Sequence, residues 1–129
     1  EALRFLNNSV RQKTITFLLS DFLDERYEEA LRVAGKKHDL IGIKVYDKMD
    51  MELPHAGLIE VEDSETGKVE WVDTGDFMQR SYYHQSFFKM TELTKSIFLK
   101  SGCDLLHMRT DEAYVKILQK FFVGRNRGK

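Results

Sequence analysis

Apolar and polar positions along this chain follow two periods, and their order lays out the elements. Leu3, Phe5, Leu6 and Val10 give an opening helix an apolar side, interrupted by Asn7-Asn8-Ser9. The β-branched and apolar run Thr14–Ser20 then reads as a buried parallel strand, ending at Ser20-Asp21 before helix-forming residues. Asp24 is placed to cap the next helix, Glu25–Lys37, with Tyr27, Ala30, Leu31, Val33 and Ala34 as its buried stripe. Glu25, Glu28 and Glu29 lie early in that helix and Lys36 and Lys37 late, the order its dipole favours. Leu40–Tyr46 is a second strand, with Ile41, Ile43 and Val45 on one face and Leu40 and Tyr46 on the other. Strand, helix and strand form a βαβ unit with parallel strands.

The pattern changes after Asp47. Asp47–Leu53 is acidic and Met-rich, and Pro54, the only proline, closes it. Leu58–Glu62 and Lys68–Val72 alternate on either side of the turn Asp63–Gly67. A hairpin insertion over residues 47–73 is expected, antiparallel at an edge of the sheet or projecting from it. Thr74–Lys100 is the longest predicted helix, with Tyr83, Phe87, Met90, Leu93 or Thr94, and Ile97 recurring at helical spacing. Ser101-Gly102 ends it, Gly102 being free to take the left-handed conformation. Asp104–Arg109 is a third strand. Asp111–Phe122 closes as a helix capped by Thr110 or Asp111, with Val115, Leu118 and Phe122 inward. The sum is one α/β domain over residues 1–129 with an inserted β-hairpin.

Composition narrows the function classes. The chain has 129 residues, 42% hydrophobic and 32% charged, which suits one folded domain with a modest core. A net charge of -1 and a pI near 6.5 lack the concentrated basic face of a nucleic-acid binder. The closing GRNRGK reads as a frayed, solvated terminus. Cys103 is the only cysteine, so no internal disulfide and no paired-cysteine zinc or redox motif is possible. Beside Leu105 and Leu106 it reads as a small core residue in a reducing compartment. No apolar run reaches the length of a membrane span, and no signal peptide opens the chain. Glu1-Ala2-Leu3 enters partway along a helix, as an excised fragment would.

The chemistry concentrates at Asp21. A carboxylate at the C-terminal end of a parallel strand sits where open α/β sheets bind ligands. It can bind Mg²⁺ with help from Ser20 or Asp24, or accept hydrogen bonds from the free N–H groups of the next helix. His38, His55, His84 and His107 stand far apart, with no metal spacing among them. There is no G-x-S-x-G elbow and no glycine-rich phosphate loop. Asp47, Asp50, Glu52, Glu60, Glu62, Asp63 and Glu65 lack the ligand spacing of an EF-hand and read as a solvated hairpin with protected edges. The aromatics of SYYHQSFF read as core and groove residues, with Tyr82 or Phe88 as an exposed subset for a partner.

The ordered segments FLLSDFLD, HDLIGIKVYD, ELPHAGLIEVEDSETG, VDTGD and LLHMRTDEAYVKILQKFF resemble a known bacterial family. The resemblance, over nearly the whole chain, is to the C-terminal half of family fifty-eight among the domains of unknown function, a branch of the von Willebrand factor A-like proteins. It implies a partial von Willebrand factor A-like, Rossmann-type parallel sheet with helices and an inserted antiparallel hairpin. In such domains a divalent cation sits in a metal-ion-dependent adhesion site, bound by an Asp-x-Ser-x-Ser loop, a later threonine and an aspartate after a central strand. Asp21 matches that last position, with Ser20 supporting it, and Mg²⁺ is the implied cation. The other motifs do not occur here and would lie upstream of Glu1, so tight Mg²⁺ binding is not expected of this fragment.

The implied function is a noncatalytic protein-interaction module, metal-dependent in the intact protein, that acts with a MoxR-type AAA+ ATPase in assembly or maturation of other complexes. The missing half would leave an apolar sheet edge, so the fragment is expected to form a homo-oligomer. A cytoplasmic location is expected, with any membrane association carried by parts of the parent protein outside this sequence. The alternative is a Mg²⁺-dependent phosphoester hydrolase using Asp21 and Asp24, although Ser20-Asp21-x-x-Asp24 lacks the Asp-x-Asp spacing of haloacid-dehalogenase phosphatases. A third reading is a scaffold in which Asp21 only caps its helix.

Overall fold

Three apolar segments pair into one parallel sheet in the computed structural model, which describes residues 1–22, 26–62 and 66–127. The elements run α1 (Ala2–Ser9), β1 (Ile15–Ser20), α2 (Glu28–Lys37), β2 (Asp39–Tyr46), α3 (Lys48–Met51), β3 (Leu58–Glu62), β4 (Val69–Asp73), α4 (Phe77–Lys100), β5 (Asp104–Arg109) and α5 (Tyr114–Arg127). They divide into two compact units, Glu1–Asp47 with Thr94–Lys129, and Lys48–Leu93. No helix among the described residues is long and apolar enough to cross a membrane.

In the first unit the strand order is β1-β2-β5. Register runs from Ile15 opposite Asp39 to Ser20 opposite Lys44, and from Ile41 opposite Asp104 to Tyr46 opposite Arg109. β2 is therefore central, and its residues bury toward both faces, which is why DLIGIKVY carries apolar residues on each side. One face packs under α1, α2 and the C-terminal turns of α4, where Leu3, Leu31, Ala34, Leu40, Ile97 and Phe98 form the core. Asn7 Nδ2 donates to the Ala30 carbonyl at 3.2 Å and ties α1 to α2. The Thr14 amide donates to His38 Nδ1 at 3.0 Å, so His38 is a strand-entry residue.

The middle of this face is a row of Leu18, Gly42 and Leu105. A Cβ on Gly42 would come within 2.5 Å of Phe98 Cζ and 3.2 Å of Leu105 Cδ1. Glycine is what lets the Phe98 ring lie directly on the sheet. On the opposite face, Phe122 of α5 meets Phe17 edge-on, with centroids 6.1 Å apart. Arg125 of the same helix forks onto Asp39 and also reaches Asp104, at 2.9 Å from Nη2. Those hydrogen bonds hold the guanidinium protonated far beyond its ordinary range.

The second unit holds the hairpin, α3 and the first turns of α4. β3 and β4 pair antiparallel as a separate two-stranded sheet, not as an edge of the main one. Buried Thr74 closes the approach to it: Oγ1 donates to the Gly57 carbonyl and accepts from the Ala56 amide at 3.0 Å. Tyr83 donates to the Met49 carbonyl at 2.7 Å. Burial pushes the Tyr83 phenol pKa up, and the charge of Asp50 adds to the shift.

Several expectations are corrected. α2 is described from Glu28, with Tyr27 as an N-cap residue that makes no side-chain cap bond and whose ring packs against Phe22 and Phe98; Glu25, the expected start, lies outside the described residues. Asp24 and most of the Asp63–Gly67 turn lie outside the described residues. Val33 and Phe5 are exposed, since Leu31 with Ala34, and Leu3 with Leu6, already occupy the inward sides of their helices. Of the alternatives Leu93 and Thr94, Thr94 takes the buried position, as one of the two readings expected. Asp47–Leu53 contains a short helix.

α5 starts at Tyr114 instead of Asp111; Thr110 donates to Asp47, and Asp111 accepts from Arg109. The helix continues through Arg127, so GRNRGK is not a frayed end as far as that residue. Val115 is exposed, not inward, whereas Phe122 faces the sheet against Phe17 and stays 39% exposed, because a three-stranded sheet is too narrow to cover every apolar position of the helix above it.

Gly42→Ala should cost about 1–3 kcal/mol, since the added methyl has no room beneath a ring that is itself enclosed. Gly102→Ala, where φ is +68° and the surroundings are open, should cost about 1 kcal/mol from backbone strain alone. Urea unfolding should show both as lowered midpoints with unchanged slopes, the Gly42 variant lower.

Candidate functional site at the sheet edge

The chain leaves β1 through a bulky residue held in a left-handed conformation. Phe22 has φ +53°, a region that costs a phenylalanine about 1–3 kcal/mol. Its ring is only 4% exposed and stands edge-on to Phe98, 5.1 Å between centroids, and tilted against Tyr27 at 5.6 Å. Burying such a ring contributes about 1.5–3 kcal/mol, and each aromatic pair adds about 0.5–1.5 kcal/mol. The cluster therefore outweighs the strain. The Phe22 amide donates to Ser20 Oγ at 3.1 Å, which fixes the turn. Phe22 is driven inward, and Asp21, one residue earlier, is left exposed at the C-terminal edge of the sheet.

The other two strands bring their own polar residues to this edge. β2 ends beside Asp47, whose Oδ2 accepts from Thr110 Oγ1 at 3.2 Å, while the Thr110 amide donates to the Tyr46 carbonyl at 2.9 Å. Beyond β5, Arg109 Nε donates to Asp111 at 2.5 Å, and the Arg109 amide donates to Glu112 Oε1 at 3.2 Å. The hydrogen bond to Asp111 and its charge raise the Arg109 pKa. The edge is thus predominantly acidic, with Asp21, Asp47, Asp111 and Glu112 at the strand ends and the Arg109 guanidinium beside Asp111 and Glu112.

Behind the edge, Ser20, Lys44 and His107 occupy one row across the three strands. Lys44 is 2% exposed, enclosed at the middle of that row. Reading the sequence missed it; its signal was one charged residue inside the otherwise apolar IGIKVY. Asp21, Lys44 and His107 are each engaged in interactions.

Magnesium needs several oxygens in a near-octahedral array. Ser20 Oγ already accepts the Phe22 amide, and Asp47 Oδ2 accepts the Thr110 hydroxyl. Among the described residues no three His, Cys, Asp or Glu side chains group as a metal site. α2 starts at Glu28 behind Tyr27, whose side chain makes no cap bond. Asp24, the other acid of the hydrolase alternative, lies outside the described residues.

The histidines divide between the units. His38 is buried at the entry to β2 and His107 lies on β5. In the second unit, His55 and His84 line one cleft of about 310 Å³ with Arg80 and Glu52, a grouping the sequence did not reveal. His55 Nδ1 accepts from Arg80 at 3.0 Å, because a guanidinium only donates. His84 Nδ1 donates to the Met51 carbonyl at 3.3 Å. Of the SYYHQSFF aromatics, Tyr82 and Phe88 are exposed, whereas Tyr83 and Phe87 are half-buried.

Asp21→Ala should change stability by no more than about 0.5 kcal/mol, as befits an exposed side chain. Phe22→Ala should cost about 3–5 kcal/mol through loss of the ring cluster. Paired urea titrations measure both. A loss above about 1 kcal/mol for Asp21→Ala would show instead that the carboxylate holds the turn.

The chain is 26% identical over 128 residues to Uncharacterized protein Rv1480 of Mycobacterium tuberculosis and to Uncharacterized protein Mb1516 of Mycobacterium bovis; each match covers 98% of this chain and 40% of the relative. Uncharacterized protein MAV169 of Mycobacterium avium is 26% identical over 132 residues, covering 98% of this chain and 75% of its own. The chain thus spans about two-fifths of the length of the first two relatives. No solved structure matches. Residues 1–92, bearing the acidic strand end and the hairpin, match the family described as protein of unknown function DUF58, and the chain belongs to that family.

Proposed function

We propose that this chain is a noncatalytic protein-interaction module whose binding face is the C-terminal edge of the parallel sheet. The observation that carries the reading is the Phe22 turn. A strained, buried phenylalanine holds Asp21 outward at the strand end, where ligands of open α/β sheets bind. The von Willebrand factor A-like resemblance and the MoxR-type AAA+ ATPase partner, with a role in assembly or maturation, come from the family resemblance of the sequence motifs. Mg²⁺ belongs to the same reading only for the full-length protein, since oxygens beyond the described residues would have to complete its coordination.

A binding titration of the full-length protein against its MoxR-type ATPase, in Mg²⁺ and in chelator, tests the reading. Asp21→Ala should weaken binding at least about tenfold, a change of about 1.4 kcal/mol, while circular dichroism stays unchanged. Equal affinity for the variant and the unmodified protein would sink it. Equal affinity in Mg²⁺ and chelator would remove the metal and leave Asp21 as a direct contact.

The 129-residue chain also offers a surface for self-association. β1 is an edge strand, and Ile15 and Leu19 on one of its faces are 65% and 63% exposed. Sedimentation across a wide concentration range should show a dimer or higher oligomer that Leu19→Lys shifts toward monomer. A monomer at every concentration would refute this.

A further inference from the structure

The hairpin carries a second surface, independent of the sheet edge. In the β3–β4 register, Leu58 faces Asp73, Glu60 faces Trp71 and Glu62 faces Val69, so these six residues share one side. Ile59, Val61 and Val72 project to the other side and are half-buried. The first side is the open one. Leu58 and Trp71 are each 64% exposed and Val69 is 46% exposed. An alternating hairpin would ordinarily turn polar side chains outward and keep tryptophan inward. Here a tryptophan stands in solvent at the centre of three exposed apolar residues, directly across from a carboxylate.

Charge decides what can cover it. Residues 58–73 carry six carboxylates against one lysine, in a chain whose net charge is only -1. That lysine, Lys68, pairs with Glu70 at 3.6 Å, and Glu70 projects to the opposite side. Among the described residues neither Glu60 nor Glu62 has an ion-pair partner. An apolar partner would bury those carboxylates uncompensated, and an acidic one, nucleic acid included, would be repelled. A guanidinium satisfies both halves of the surface, because its flat face stacks on an indole while its N–H groups fork onto carboxylates.

We propose that this side of the hairpin docks an arginine-bearing basic protein segment, with one arginine stacked on Trp71 and paired with Glu60 and Glu62. Lysine fits less well, since its compact ammonium is more strongly hydrated and does not stack as a plane. Leu58 and Val69 flank the indole and supply apolar contact for the aliphatic stems of neighbouring side chains.

Trp71 is the only tryptophan in the chain, so its fluorescence reports this surface directly. The probe is an uncharged-end peptide of alternating glycine and arginine, titrated at low salt into the protein, with lysine and glutamate versions in parallel. The arginine peptide should change the emission saturably, bind at least about threefold tighter than the lysine peptide, and weaken steeply as salt is raised. The double variant Glu60→Gln, Glu62→Gln is near-isosteric at exposed positions and should lose about tenfold or more in affinity with its circular dichroism intact. Trp71→Ala, followed by calorimetry, should lose affinity comparably. The absence of saturable binding to the unmodified protein overturns the proposal. So does equal binding by the glutamine variant, or a response insensitive to salt and peptide charge, which would indicate an apolar occupant.

Discussion

The first unit depends on the contact between Phe98 and Gly42. Without a side chain at Gly42, the end of α4 settles onto the centre of the sheet, and Phe98 becomes the ring around which the core is assembled. Phe22 then stands edge-on to the same ring. The position of the candidate site is thus inherited from a glycine on the neighbouring strand. A glycine that weakened β2 without such a contact would have no compensation, because strand glycines lose backbone entropy and pack nothing. Here the compensation is the ring, and the ring in turn sustains a backbone angle at Phe22 that few side chains tolerate.

This chain of dependence also explains which parts were readable beforehand. Thr14–Ser20, Leu40–Tyr46 and Asp104–Arg109 were legible because period and β-branching report strands directly, and Gly102 takes the left-handed conformation its position after the long helix predicted. Phe98 was not picked out, because the stripe was followed only as far as Ile97, one position short of the ring that faces Gly42. Caps failed for a related reason. Thr110 and Asp111 have the right chemistry to start α5, yet the helix starts at Tyr114, and the bond from Thr110 to Asp47 is known only once β2 and β5 lie side by side.

The site was legible to about the same depth. Ser20 and Asp21 stood out because an acid after an apolar strand lands at a sheet edge whatever the rest of the fold does. Lys44 was hidden: a lysine in a strand reads as an outward residue unless the neighbouring strands and covering helices are known to enclose it. The hairpin gave the converse case. Its carboxylates were obvious as a group, but only the register separates Glu60 and Glu62, beside Trp71, from Glu70 on the reverse side.

The Arg125 clamp has a consequence for how the chain reaches this structure. Asp39 and Arg125 are 86 residues apart, whereas the βαβ unit joining β1 to β2 closes over a much shorter stretch. On a ribosome, Asp39 emerges long before its guanidinium, and the second unit is synthesised in between. Closing so distant a contact carries a loop-entropy cost that local pairing does not. The βαβ unit can therefore form early, while the face beneath α5 stays uncovered until Arg125 arrives. During that interval Ile41 and Ile43, fully enclosed in the finished fold, are the residues most open to capture by a chaperone or by another nascent chain.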